Sequence, residues 1–271
     1  MRFFDAHNHL QDDCLDPWRE SIVRVCTDLP VASMVVNGMT EADWPEVASL
    51  AQRFPFARPS FGLHPWYLHS RSRAWEAHLR EALRQHPTAG VGEFGLDRWI
   101  PNHDLADQID VFRIHLAIAG ELGRAATIHC LRAWDELLPL LEETVLPWRG
   151  FLVHAYGGPP DLVPRLVDLG AYFSFSGYFL SPGQERKLPA FRLMPPGRLL
   201  VETDAPAMPL PASQAEFVLP RRKDGPVLNH PGNIRAVYLG LAQVRAMDPE
   251  ALSAQVEANF RRLFESSPGL G

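Results

Sequence analysis

Short apolar runs alternate with longer amphipathic stretches from one end of the chain to the other. Eight of the runs read as strands: residues 2–5, 33–37, 58–62, 89–93, 125–129, 150–154, 171–174 and 198–202. Between them, residues 41–53, 74–85, 105–122, 134–145 and 160–169 place charged residues on one face at helical spacing. Two further helical stretches, 234–245 and 249–264, follow the last strand and are placed to seal the fold. Eight strands alternating with helices over about 250 residues is the pattern of an α/β protein of the (β/α)8 TIM-barrel class. A doubly wound open sheet produces the same local alternation, so the pattern leaves closure of the sheet open.

No repeat, low-complexity run or linker interrupts this order, and a single domain over residues 1–271 is expected. The longest irregular stretch, 205–232, is proline-rich and contains Arg221, Arg222 and Lys223. It directly follows the eighth strand, so in a barrel it overhangs the face where such enzymes do their chemistry.

Composition narrows the setting. A chain of 271 residues, 46% hydrophobic and 21% charged, buries an ample core without disulfides. Cys14, Cys26 and Cys130 are odd in number and lack metal-finger spacing, which points to a reduced, cytoplasmic compartment. No apolar run is long enough for a signal peptide or a membrane span, so no membrane partner is expected. Nothing in the sequence identifies a protein partner. The net charge of -6 gives no global attraction to nucleic acid, so a polyanion must be held by a local patch or by metal.

The candidate chemistry falls where strands end. His7 and His9 close the first run, His64 follows the third, Glu93 ends the fourth, His129 the fifth and His154 the sixth, and Asp204 follows the eighth. Dispersed in sequence, these residues converge on one rim if the strands form a barrel. His7 and His9, two apart on a strand, face the same way, and Asp5 shares that face one step deeper, where it can orient a histidine. A lone His-x-His pair is more often surface or core than ligand. Four histidines, a glutamate and an aspartate at strand ends are a different case, because apolar strands do not end in ionisable groups unless these are paired or metal-bound. Glu93, between glycines and two histidine pairs, is placed to bridge two cations; its plainer reading is a buried salt-bridge partner. Glu202 shares the parity of Asp204 and reads as a supporting residue. Cys130, beside His129, reads as packing.

The motifs Asp-Ala-His-Asn-His, Gly-Leu-His-Pro-Trp, Gly-Glu-Phe-Gly-Leu-Asp, Ile-His-Cys, Val-His-Ala-Tyr-Gly-Gly and Glu-Thr-Asp-Ala-Pro occur in this order. Together they resemble the TatD-type metal-dependent deoxyribonucleases, a branch of the amidohydrolase superfamily, and the likeness runs from Phe4 to Phe264. The resemblance implies a hydrolase that cleaves phosphodiester bonds with two divalent cations per chain, of zinc, manganese or magnesium. His7 and His9 would hold the first ion, Glu93 would bridge, and His129 and His154 would hold the second. Asp204 would bind the first ion and handle the proton of the attacking water. His64 would contact the substrate phosphate and, if protonated, offset charge on its oxygens. Asn229 and Pro231 resemble the family's Asn-x-Pro element, which shapes the rim.

One element departs from the family. Its arginine often lies two residues after the fifth-strand histidine, whereas Arg132 lies three after His129, a shift that turns a side chain to the other face. Arg132, Arg221 and Arg222 are, with His64, the candidates for substrate contact. Trp66, Tyr67, Trp99 and Tyr156 are candidates for stacking on bases, with simple packing as the plainer reading. The expected substrate is DNA, as single strands or ends, or else a small phosphoester. A hydrolase of a small phosphoester, amide or lactone is the alternative, since the same barrel hosts many reactions. A non-catalytic, metal-stabilised binding protein is the third reading, which the intact Asp204 opposes.

Overall fold

The computed structural model describes residues 1–102, 104–220 and 225–265. Eight strands run β1 Phe3–Asn8, β2 Val31–Asn37, β3 Ala57–Phe61, β4 Gly90–Asp97, β5 Ala126–Leu131, β6 Phe151–Val153, β7 Ala171–Ser176 and β8 Leu199–Glu202. Each is parallel to the next in sequence order, with no reversal point of the kind that defines a doubly wound sheet. The backbone then joins the two ends. His9 N–H donates to Ala205 O at 2.7 Å and Asp204 N–H to His7 O at 2.9 Å. The sheet is therefore a TIM barrel, and its seam lies among the candidate site residues themselves. Both faces of the strands are covered, which is why every residue of β4 and of β7 is buried.

The α-helices are α1 Arg19–Asp28, α2 Trp44–Arg53, α3 Trp75–Gln85, α4 Leu105–Glu121, α5 Trp134–Glu143, α6 Val163–Asp168, α7 Leu188–Leu193, α8 Ile234–Arg245 and α9 Pro249–Phe260. The helix expected over 160–169 splits into a 3₁₀ turn, Pro160–Leu162, followed by α6. Pro164 has no N–H to extend the first turn, so the helix restarts around it. The final helix stops at Phe260, where a π turn, Arg261–Glu265, takes over. It still seals the barrel floor. Phe260 packs on Phe4 with ring centroids 5.1 Å apart, and Asn259 Nδ2 donates to the carbonyls of Pro196 and Leu199, each at 2.7 Å.

Two strands run further than their polar residues suggest. β1 continues through His7 to Asn8, and β4 continues past Glu93 to Asp97. Glu93 thus sits inside its strand rather than at its end. The extension is held by pairing with β5, Gly95 against His129 and Asp97 against Leu131. Gly95 is required there, because a Cβ would lie 1.9 Å from His129 O. Beyond β8, the described part of 205–230 carries no helix or strand, and a 3₁₀ turn, Pro231–Asn233, leads into α8.

Candidate metal centre

The barrel mouth brings His7, His9, His64, Glu93, His129, His154 and Asp204 together, and all but His129 are buried. The Glu93 carboxylate separates the residues around it, with His64 Nε2 3.5 Å from its Oε1 and the others in two groups. Its Oε2 lies 3.2 Å from His7 Nε2 and 3.3 Å from His9 Nε2. Those two nitrogens are 3.2 Å apart, and each is 3.5 Å from Asp204 Oδ1. Its Oε1 lies 2.7 Å from His154 Nε2 and 3.1 Å from His129 Nδ1, which are themselves 3.2 Å apart. Four-coordinate bonds of about 2.0–2.1 Å imply donor spacings of about 3.3–3.4 Å. The chain's own spacings therefore fit a divalent cation in the first group. Glu93 Oε2 is buried without a hydrogen-bond donor, which a cation would satisfy.

Two of the rings are held by a hydrogen bond on the far side, whereas His7 Nδ1 is buried with no hydrogen-bond partner among the described residues. His9 Nδ1 lies 2.8 Å from Asn37 O, and His129 Nε2 lies 3.0 Å from Asp97 Oδ2. His154 Nδ1 is 3.5 Å from Glu202 Oε1, a charge contact rather than a hydrogen bond, while Ser174 Oγ donates to the other oxygen of Glu202. The His7 and His154 rings stack at 4.0 Å, packing the two groups side by side. Asp204 has φ of 52°, a left-handed conformation that aspartate tolerates better than most residues.

Charge in this cluster follows from crowding. Burial opposes ionisation of Glu93, but His154, His7 and His64 and a hydrogen bond from His129 hold its carboxyl well below the usual range. Burial likewise opposes ionisation of Asp204, yet the hydrogen bond from His9 and the charges around it keep it low. Burial disfavours protonation of His9, His129 and His154, and their carboxylate partners outweigh it, raising all three. His64 is different. Burial pushes it down to about 3, and its Nδ1 accepts the Trp66 N–H at 3.1 Å. With Nδ1 taken up by that bond, a neutral ring here carries its proton on Nε2, the nitrogen 3.5 Å from Glu93 Oε1.

A family model of TatD-related DNases matches residues 4–265. The chain belongs to this family. It is 28% identical to the 3'-5' ssDNA/RNA exonuclease TatD of Citrobacter koseri, over 91% of this chain and 92% of the relative. The identity to the protein of the same name from Salmonella typhimurium is also 28%, over 97% and 98%. Among solved structures, YJJV, a TatD homolog from Escherichia coli K12, superposes with a TM-score of 0.88 at 25% identity, covering 98% of this chain and 99% of that one. The described residues include no helix long and apolar enough to cross a membrane.

Other residues singled out in the sequence of this TatD-family chain fall less uniformly. Asp5 makes no hydrogen bond to an imidazole among the described residues. Its carboxylate accepts the N–H of His7 at 3.3 Å, the N–H of Thr203 at 3.0 Å and the Thr203 hydroxyl at 2.6 Å, fastening β1 to the end of β8. Tyr156 is fully buried and donates to Pro159 O, so it is core and not a stacking surface. Cys130 is buried, as expected of packing, and burial raises its thiol. Asn229 Nδ2 donates to Thr203 O at 2.8 Å and Met208 O at 3.3 Å, tying the long loop beneath Asp204, and Pro231 opens a 3₁₀ turn. Arg132 follows β5 with φ of 57°, exposed and without an ion pair among the described residues. Arg221 and Arg222 lie outside the described residues. Asp97 was not singled out in the sequence, although it shares strand parity with Glu93.

Proposed function

We propose that this chain is a metal-dependent phosphodiesterase acting on single-stranded nucleic acid and on strand ends, DNA foremost. The observation that carries the reading is the division of Glu93, with one oxygen facing His7 and His9 and the other facing His129 and His154. A carboxylate so shared suits two cations. His7, His9 and Asp204 would hold one and His129 and His154 the other, with Glu93 common to both. Imidazole-rich sites favour zinc or manganese over magnesium. When bound, such cations supply the Lewis acidity that phosphodiester hydrolysis needs near neutral pH.

The chain's own groups do the rest. Asp204, held ionised, accepts the proton of the attacking water and returns it to the leaving oxygen. His64 donates its Nε2–H to a non-bridging phosphate oxygen as a neutral hydrogen bond, with its ring fixed by the Trp66 N–H. The seam bonds from Asp204 N–H to His7 O and from His9 N–H to Ala205 O keep the proton acceptor in register with the two histidines. The names of the TatD exonuclease relatives support a nucleic-acid substrate over a small amide or lactone.

The test is hydrolysis of short 3′-labelled single-stranded DNA by metal-reconstituted protein, with RNA, a small phosphodiester, lactones and amides in parallel. Chelator-sensitive release of nucleotides, absent in Asp204→Asn although that variant still binds metal, is expected. Turnover of a small substrate with none of DNA or RNA would move the function to that substrate.

A further inference from the structure

Beside His129 the rim carries two large aromatic side chains that packing leaves in solvent. Trp66 is 39% exposed and Trp99 53% exposed, and their ring centroids lie 6.1 Å apart at 35°. Neither is loosely placed. The Trp66 indole N–H donates to Asp97 Oδ2 at 2.7 Å, and the backbone N–H of Trp99 donates to Asp97 Oδ1 at 2.6 Å. Asp97 Oδ2 is also the atom that faces His129 Nε2. One buried carboxylate therefore fixes a site histidine and both tryptophans. The Trp66 ring also meets His64 edge-on, with centroids 5.2 Å apart.

The same rim also offers a cation, Arg132, that has no ion pair among the described residues. Arg98 N–H bonds to Leu131 O at 3.0 Å, which puts Trp99 and Arg132 each one residue beyond that bond, past the ends of β4 and β5. The Arg98 guanidinium is spent on Asp135 at 2.7 Å and Glu136 at 2.7 Å. Arg132 stands exposed. Two exposed indoles, with an exposed arginine one residue past the bond that ties their loop to β5, offer π faces and a positive charge on the same rim, the combination that holds unpaired bases along a phosphate backbone. A duplex keeps its base faces stacked inside and presents none of them.

We propose that Trp66 and Trp99 form a platform on which an unpaired base next to the scissile phosphate stacks, with Arg132 holding an adjoining phosphate. This deepens the nuclease reading and rests on it. The platform makes the enzyme select single strands by base stacking, and it ties that selection to the metal centre through Asp97.

The experiment uses metal-loaded full-length chain and a 3′-labelled single-stranded oligonucleotide in which each of the last few bases is replaced, one at a time, by an abasic linker. For the unaltered enzyme, kcat/KM should fall about 5- to 150-fold when one particular base is missing. Trp99→Ala should cleave the intact strand at the abasic rate and no longer respond to that base. Trp99→Phe, which keeps a smaller ring, should fall between. Cleavage that ignores the missing base at every position, or a Trp99→Ala enzyme that still discriminates, overturns the platform and leaves the nuclease standing. Failure to cleave any oligonucleotide overturns the nuclease reading itself and the platform with it.

Discussion

Asp97 Oδ2 sits 3.0 Å from His129 Nε2, and this leaves Nδ1 of the same ring facing Glu93 Oε1 at 3.1 Å. The carboxylate accepts the proton on one nitrogen and so frees the lone pair of the other for a cation. Asp97→Asn keeps the size of the side chain but removes its charge and one of its acceptor oxygens. Metal affinity is expected to fall about 10- to 100-fold, as it does when a carboxylate behind a ligating histidine is lost. Calorimetric titration of the chelator-stripped variant with manganese or zinc measures this. Affinity equal to that of the unaltered chain would mean that His129 is not a ligand oriented by Asp97.

Asp5 has a different task, and its loss should be felt first in stability. It is buried and satisfies two backbone N–H groups and the Thr203 hydroxyl where β1 meets the end of β8. Asp5→Ala leaves those donors buried without acceptors, at about 1–3 kcal/mol for each that finds no other partner. A destabilisation of about 2–4 kcal/mol and a fall in Tm of roughly 5–15 °C are expected. Asp5→Asn, which retains one acceptor oxygen, should lose less. Thermal denaturation of the two variants checks the order; equal Tm values for Asp5→Ala and the unaltered chain would show that the seam holds without this carboxylate.

Much of this was legible in the sequence, and for a physical reason. Strand parity forces His7 and His9 to one face, and eight strand–helix units bring residues far apart in sequence to one rim. The same parity places Glu93, Gly95 and Asp97 on one face, so Asp97 was within reach of the rule that paired the histidines. A strand ended at its first charged residue stops at Glu93 and does not reach it. Inside a barrel mouth a polar side chain can sit mid-strand, facing the cluster it serves. The conformation at Arg132 was not legible at all. Its φ of 57° belongs to the turn between β5 and α5 and leaves no mark in hydrophobic periodicity. Nor could periodicity tell Tyr156, sealed against Pro159, from Trp66 and Trp99, which stand out into solvent.

The protonation of the cluster predicts how metal and pH act together. His9, His129 and His154 are all raised above the ordinary 6.5 by their carboxylate partners, so near neutral pH the metal-free chain holds protons where cations would bind. A group whose pKa is higher folded than unfolded stabilises fully below its unfolded value and loses that contribution as pH rises through the folded one. The metal-free chain should therefore lose this share of its stability as pH climbs from about 6.5 through the raised values. Glu93 and Asp204 are shifted downward, so their contribution is lost only in acid, outside that window. Metal binding requires neutral imidazoles and must expel the protons, so affinity should grow over the same range. The increase in Tm produced by manganese should accordingly be larger at pH 8 than at pH 6, with proton release on binding seen as heats that depend on the buffer. A metal-induced shift that stays flat or shrinks as pH rises would mean that these imidazoles do not ligate the metal.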